Sequence, residues 1–366
     1  MNILHIINNL ANGGAERLLV DFLPQLKSKH CNITLLVVIE STSLPVYIDE
    51  LREAGVAVYF LKNSGSLYDI RLPFSINKFL NQGRYDIVHA HLFPTFYYVA
   101  LVKRIFHRKE RYYFTEHSIH NKRIDDKRFK YLEKWIYKSF DKIVVISDAI
   151  KYKLDNWIGT AEKTLTIRNG LNLAKLEQAS AKDLSTIDGV LVGHDKKYLL
   201  MTARFDHPKR QDLLLEVVQR LPENFVLILA GEGPQLINWQ LLVEQLGVSH
   251  RVAFLGHRSD IASLMKSVDL NILYSDYEGM SGVTVEALAS GKPFLGSDVP
   301  GINDVVPSPL NLFKNYQPDE IAEKIINLSA LKEGTLIDLQ QEQSEKFTMK
   351  AMVEGYLRIY QLQERE

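Results

Sequence analysis

The chain has 366 residues, 46% hydrophobic and 24% charged, a composition that excludes intrinsic disorder and a length that is long for one core. A single cysteine, Cys31, excludes an intrachain disulfide, and no apolar run approaches the ~18 residues of a membrane-spanning helix. The net charge is zero, but residues 1–165 carry 24 Lys and Arg against 17 Asp and Glu, so a surplus of seven positive charges faces an equal negative surplus downstream.

The opening MNILHIINNL has no basic n-region and no small-residue cleavage site, so it reads as a first buried strand and not a signal peptide. Gly13 and Gly14 follow it; their missing Cβ atoms suit a tight strand-to-helix turn and equally the close approach of backbone to a ligand. Further β-branched runs fall at 33–39, where Cys31 reads as a small buried hydrophobe in a reducing, cytoplasmic setting, and at 56–61, 87–90, 112–115 and 142–146. A second series is expected at 165–167, 198–202, 225–230, 252–255, 270–273 and 293–296. Continuous apolar strands alternating with helical patterns predict parallel sheets covered on both faces, and two series predict two doubly wound, Rossmann-like α/β domains. The Asn169-Gly170 turn marks a boundary. The expected division is a first domain of residues 1–168, a second of 169–345 and a C-terminal helix within 346–366.

In such sheets ligands bind beyond the carboxyl ends of the strands. Every candidate motif here follows a predicted strand, so all are expected to face one cleft. His117 follows 112–115, whereas His89 and His91 read as core or cleft-wall groups. Arg204 and Lys209, with Arg210 as a further candidate, follow 198–202. Two cations at one place suit a leaving group on which negative charge builds. Gly231 and Gly233, around Glu232, form a turn after 225–230, and His257 and Arg258 follow 252–255. The segment YEGMSGVTVEALASGKPFLGSDVPGINDVV, residues 277–306, sets Glu278 in a Gly-rich loop and Glu286 in a short apolar helix ended by Gly291 and Pro293. A loop delivering backbone N–H groups and a helix N-terminus suits a phosphate. A carboxylate at each end suits sugar hydroxyls. Together these describe a site for a nucleotide-sugar.

The segment resembles the E-x7-E motif of the retaining glycosyltransferases of the GT4 family, which have the GT-B fold, in which a final helix, expected here at 346–366, crosses back to pack on the first domain. The resemblance extends over Asn12-Gly13-Gly14-Ala15-Glu16, Thr115-Glu116-His117-Ser118, Ile146-Ser147-Asp148, Arg168-Asn169-Gly170, Ala203-Arg204 with Lys209, Ala230-Gly231-Glu232-Gly233-Pro234 and Phe254-Leu255-Gly256-His257, in the family's order and near its spacing. It implies a transferase that moves a sugar from a nucleoside-diphosphate donor, with UDP-sugars favoured, to an acceptor hydroxyl with retention. It implies a lipid-linked saccharide acceptor in a bacterial surface polysaccharide pathway. It also implies roles: His117 at the donor sugar, Arg204 and Lys209 as a diphosphate clamp, Glu286 on the ribose and Glu278 by the donor sugar. Backbone N–H groups of Gly279, Met280, Ser281 and Gly282 would meet the diphosphate. Gly14, Arg210, Gly231, His257 and Arg258 would border the donor. Metal-independent catalysis is expected, since no D-x-D triplet occurs and no His, Cys or carboxylate cluster has metal spacing. Met280-Ser281 and Asp304 depart from the commonest pattern and bear on donor identity. Alternatives are a soluble transferase acting on a small acceptor, a nucleotide-sugar-binding module without turnover, and a sugar-nucleotide epimerase.

The region 101–142 holds 13 basic against 6 acidic residues, interleaved with aromatics. Lys103, Arg104, Arg108, Lys109, Arg111, Lys122 and Arg123 are expected to meet an anionic membrane surface at the cytoplasmic face. A plain solvated face ranks next, and nucleic acid, which shares the charge pattern, ranks last.

Overall fold

The computed structural model describes residues 1–29, 31–62, 65–117, 126–193, 195–278, 280–314, 316–331 and 334–361. Chain contacts divide it into two units: Met1–Gly170 together with the segment from Met349 onward, and Leu171–Thr348.

The first unit is a seven-stranded parallel sheet built from β1 (Asn2–Ile7), β2 (Asn32–Val37), β3 (Ala57–Phe60), β4 (Ile87–His91), β5 (Arg111–Glu116), β6 (Lys142–Val145) and β7 (Thr164–Thr166). The order is β3-β2-β1-β4-β5-β6-β7. Strand order reverses between β1 and β4, and there the register sets His5 opposite His89. Helices cover both faces because the strands are apolar on both: Ile3, Ile7 and Leu35 face one cluster, Leu4, Ile6 and Leu36 the other. The first cluster is completed by helix Met349–Gln361, whose Met352, Val353, Tyr356 and Tyr360 pack among Phe22, Leu23 and the sheet. Burying each such side chain stabilises the unit by roughly 2 kcal/mol.

The second unit has six parallel strands: β8 (Lys197–Thr202), β9 (Phe225–Ala230), β10 (Val252–Phe254), β11 (Leu270–Leu273), β12 (Phe294–Ser297) and β13 (Leu312–Phe313). Their order is β10-β9-β8-β11-β12-β13, so this sheet reverses between β8 and β11.

Two sequence expectations are corrected. The run at 165–167 reads in the sequence as the start of the second series, but β7 closes the first sheet, pairing with β6 from Ile143↔Thr164 to Val145↔Thr166. Helix Asp148–Ile158 makes a single short crossover, which returns a strand beside the one it left. β13 was not anticipated; two residues carry no periodic signal.

Candidate active site

The reversal point of the second sheet gathers the conspicuous charges. After β8 the chain turns through Ala203–Phe205, and Asp206 caps a single turn of 3-10 helix, His207–Lys209, by accepting from His207 N at 2.7 Å. After β11 comes the loop 275–278. The two loops are joined: Asp276 N and Ser275 Oγ both donate to Pro208 O at 2.8 Å, and Ser275 N is held by Ser297 Oγ at 2.8 Å. These bonds set Lys209 Nζ on the Glu278 carboxylate as an ion pair. Arg210 is fixed between Asp212 at 3.0 Å and Asp276 at 3.2 Å. Arg204 differs: its side chain is 71% exposed and its nearest carboxylate, on Asp206, lies at 3.9 Å. Of the three cations, Arg204 has the most freedom to meet a ligand.

The glycines beside this turn have a packing reason. Gly231 has φ +144, and a Cβ there would sit 2.0 Å from Ala203 O; at Gly233 it would sit 2.2 Å from Phe205 O. The 203–205 backbone crosses over them and is tied down by Phe205 N to Glu232 O at 2.9 Å and Gln235 N to Phe205 O at 3.1 Å. Gly231 thus supports the turn that carries Arg204.

Helix Gly282–Ala289 starts at Ser281, whose Oγ caps it by accepting from Thr284 N at 3.3 Å. Ser281 N donates to Gly301 O at 3.2 Å, so within this group of donors that N–H is already engaged. Gly282 opens the helix, and Met280 packs against the core. Gly279 lies outside the described residues. Glu286, in the second turn, lines a pocket of about 730 Å3 with His257, Arg258, Lys175, Asn172 and Thr202. Burial raises the Glu286 carboxyl above its ordinary range, partly offset by Lys175. Arg258 is fixed by Asp260 at 2.8 and 2.7 Å, and Lys182 Nζ also reaches Asp260 at 2.6 Å. The two cations hold that carboxyl well below the usual range.

Sequence reasoning passed over Thr202 and Lys175. Thr202 Oγ1 is buried and finds no partner among the described residues, yet its residue lines the pocket. Its signal was its place as the last residue of β8, where a strand hands over to a site loop.

In the first unit, Gly14 opens helix Gly14–Lys27 with open space where a Cβ would be. His117 follows β5; its Nε2 lies 3.4 Å from His91 Nδ1, and its Nδ1 is buried without a partner among the described residues. Burial lowers its pKa to about 4, so at neutral pH it is an uncharged imidazole.

Four side chains of the basic region have partners within the first unit. Lys103 pairs with Asp141 at 2.7 Å, and Arg108 forms an ion pair with Glu110. Arg104 lies 4.3 Å over the Trp135 ring, and Arg111 donates to Tyr360 O at 2.6 Å. Lys109 is exposed, and Lys122 and Arg123 lie outside the described residues. Phe129, Tyr131, Leu132 and Trp135 are exposed nearby, Tyr131 by 85%.

Two family models match this chain, one described as Glycosyltransferase Family 4 over residues 12–175 and one as Glycosyl transferases group 1 over residues 187–347. The chain belongs to this family and is a glycosyltransferase. Its two Rossmann-like units are those of the GT-B fold. Among relatives, the UDP-Gal:alpha-D-GlcNAc-diphosphoundecaprenol alpha-1,3-galactosyltransferase of Escherichia coli is 24% identical over 312 residues, 80% of this chain and 78% of that one. The N-acetyl-alpha-D-glucosaminyl L-malate synthase of Bacillus anthracis is 24% identical over 243 residues, 65% of this chain and 63% of that one. The crystal structure of Anabaena HepE in complex with UDP superposes with a TM-score of 0.77 at 21% identity, covering 98% of this chain and 99% of that one. What is shared at that identity is the fold.

Proposed function

We propose that this glycosyltransferase takes a UDP-sugar as donor and transfers the sugar, with retention, to a hydroxyl of a lipid-linked saccharide in bacterial surface polysaccharide synthesis. The observation that carries the donor reading is the juxtaposition at the β8/β11 reversal: Lys209 paired with Glu278, Arg204 extended into solvent, and the Glu286 pocket in the same unit. Glu286 accepts from the ribose hydroxyls, for which a half-buried carboxylate is a strong acceptor. Arg204 and Lys209 oppose the charge that grows on the departing diphosphate, an interaction stronger in the transition state than in the ground state. Lys209 has three N–H donors, so it serves the diphosphate while keeping one bond to Glu278. The bond from the anomeric carbon to the phosphate oxygen breaks, a bond to the acceptor oxygen forms on the same face, and the acceptor proton passes to the departing phosphate. His117, as a neutral imidazole, contacts the donor sugar. The chemistry needs no divalent cation where Arg and Lys supply the positive charge.

The acceptor reading is supported by the E. coli relative, whose name specifies a diphosphoundecaprenol-linked saccharide. On this reading the enzyme works at the inner face of the cytoplasmic membrane; no helix among the described residues is long and apolar enough to cross one. The Bacillus anthracis relative, named for malate, sits at the same identity and keeps a small acceptor as the second reading.

Thermal shift with UDP, GDP and ADP on the wild type and Glu286→Ala tests the donor site. UDP is expected to stabilise the wild type selectively, and Glu286→Ala to weaken UDP binding about 10–100-fold, the scale of one hydrogen-bonded charge. Absence of stabilisation by any nucleotide would overturn the reading. Transfer to undecaprenyl-diphosphate saccharide in vesicles, measured against transfer to soluble acids such as malate, separates the two acceptor classes. The anomeric configuration of the product, read by NMR, tests retention.

A further inference from the structure

One face of the first sheet carries a row of imidazoles. His89 and His91 are two apart on β4 and so share a face, and the register sets His5 of β1 against His89 and His91 against Thr115 of β5. His117 lies two residues beyond Thr115. The rings stack: His89 on His91 at 4.6 Å, and His5 on each of them at 5.2 Å. His5, His89 and His91 bring imidazole nitrogens within 4.8 Å of one another. Yet both His89 nitrogens are held by hydroxyls, Nδ1 by Tyr360 at 2.6 Å and Nε2 by Thr115 at 2.8 Å, and parallel rings do not converge their lone pairs on one point. That argues against a metal site.

The other three form a chain. His5 Nδ1 lies 2.9 Å from His91 Nε2, and His91 Nδ1 lies 3.4 Å from His117 Nε2. The terminal nitrogens, His5 Nε2 and His117 Nδ1, are the two that are buried without partners among the described residues. All three rings are deep enough that burial keeps them neutral, with His5 lowered to about 3 and His117 to about 4. A neutral imidazole has one N–H and one lone pair, so each ring in such a chain must donate on one side and accept on the other. The polarity of the first bond therefore fixes the second. One end of the chain must carry an N–H without a partner among the described residues. An orphan N–H is tolerated least in a full core, and His5 is fully buried whereas His117 is only half-buried, which puts the N–H on His117 and leaves a bare Nε2 on His5.

We propose that His5, His91 and His117 are one hydrogen-bonded relay, polarised so that each carries its proton on Nδ1, and that His5 and His91 are positioning residues that make His117 present Nδ1–H as a donor. The functional part rests on the reading that His117 meets the donor sugar; the tautomer part does not.

The test is long-range 1H–15N NMR of the imidazoles in the full chain, which reports which nitrogen is protonated. Wild type is expected to show all three as Nδ1–H. His5→Phe, which does not touch His117, is expected to shift His117 toward the Nε2–H tautomer and to lower kcat about tenfold with donor KM unchanged, the scale of an outer residue that sets a histidine tautomer. Tyr360→Phe removes a hydroxyl from His89, outside the chain, and is expected to leave His117 as in wild type. An Nε2–H His117 in wild type overturns the relay. So does an unmoved His117 in folded His5→Phe, or an equal shift in Tyr360→Phe. If His117→Ala keeps full turnover while the tautomer pattern holds, the functional reading of His117 fails and the relay stands.

Discussion

His117 illustrates what one side chain can do when its surroundings remove its charge. Half-buried, with its pKa lowered to about 4 by loss of hydration, it is a neutral hydrogen-bonding group at pH 7. His117→Ala is expected to cut kcat about 10–100-fold with a smaller change in donor KM, measured in a steady-state transfer assay; normal turnover would remove the residue from the mechanism. Single residues were unevenly legible. Glu278, Glu286, Arg204 and Lys209 could be named because they sit in local motifs with fixed spacing. The pairing of Lys209 with Glu278 could not, since 69 positions separate them and no periodicity spans that distance. Thr202 is hidden for another reason: a hydroxyl among apolar strand residues looks like packing until it is seen to have no partner among the described residues. Lys103 and Arg108 count as free charges in the sequence, and their local pairing with Asp141 and Glu110 is invisible to a charge count.

Among the elements, the turn after β8 shows how backbone crossing, and not chemistry, selects a residue. Ala203 O occupies the space that a Cβ on Gly231 would need, and φ +144 is unfavourable for any L side chain. Gly231→Ala is expected to destabilise the second unit by roughly 3 kcal/mol or more and to weaken UDP binding through displacement of Arg204. Urea unfolding and UDP titration of the same variant check both; unchanged stability would mean that the turn yields easily. Strands were the most legible elements, because buried parallel strands are continuous apolar runs. The misassigned β7 and the missed β13 are both sheet edges of two or three residues, where a run is too short to declare its partner.

The molecule as a whole carries the linkage of its buried titratable groups to pH. In the unfolded chain a histidine takes up a proton as pH falls through about 6.5. In the folded chain His117 waits until about 4 and His5 until about 3, and His89 and His91 are lowered in the same direction. Between those limits the unfolded state binds more protons, so stability falls as pH falls, by about 1.4 kcal/mol per pH unit for each such group. Buried Glu133, raised to about 7, works oppositely: between 4.5 and 7 it is protonated only when folded, so its contribution falls as pH rises. Burial raises Glu16 in the same direction as Glu133, but four lowered histidines outweigh these two carboxyls, and acid is expected to weaken the first unit. Urea midpoints from pH 7 down to pH 5 read this directly; a flat or rising midpoint would contradict it.

Helix Met349–Gln361 has a further consequence for how the chain is made. Its Met352, Val353, Tyr356 and Tyr360 finish the core around Phe22, but they leave the ribosome after the whole of Leu171–Thr348. At roughly 5–20 residues per second, the first sheet, with all seven strands already made, waits on the order of 10–40 s for its covering helix, while the second unit has all its own residues sooner. The order of completion during synthesis is therefore the reverse of the order in sequence, and the nascent chain spends that interval with an uncovered apolar face.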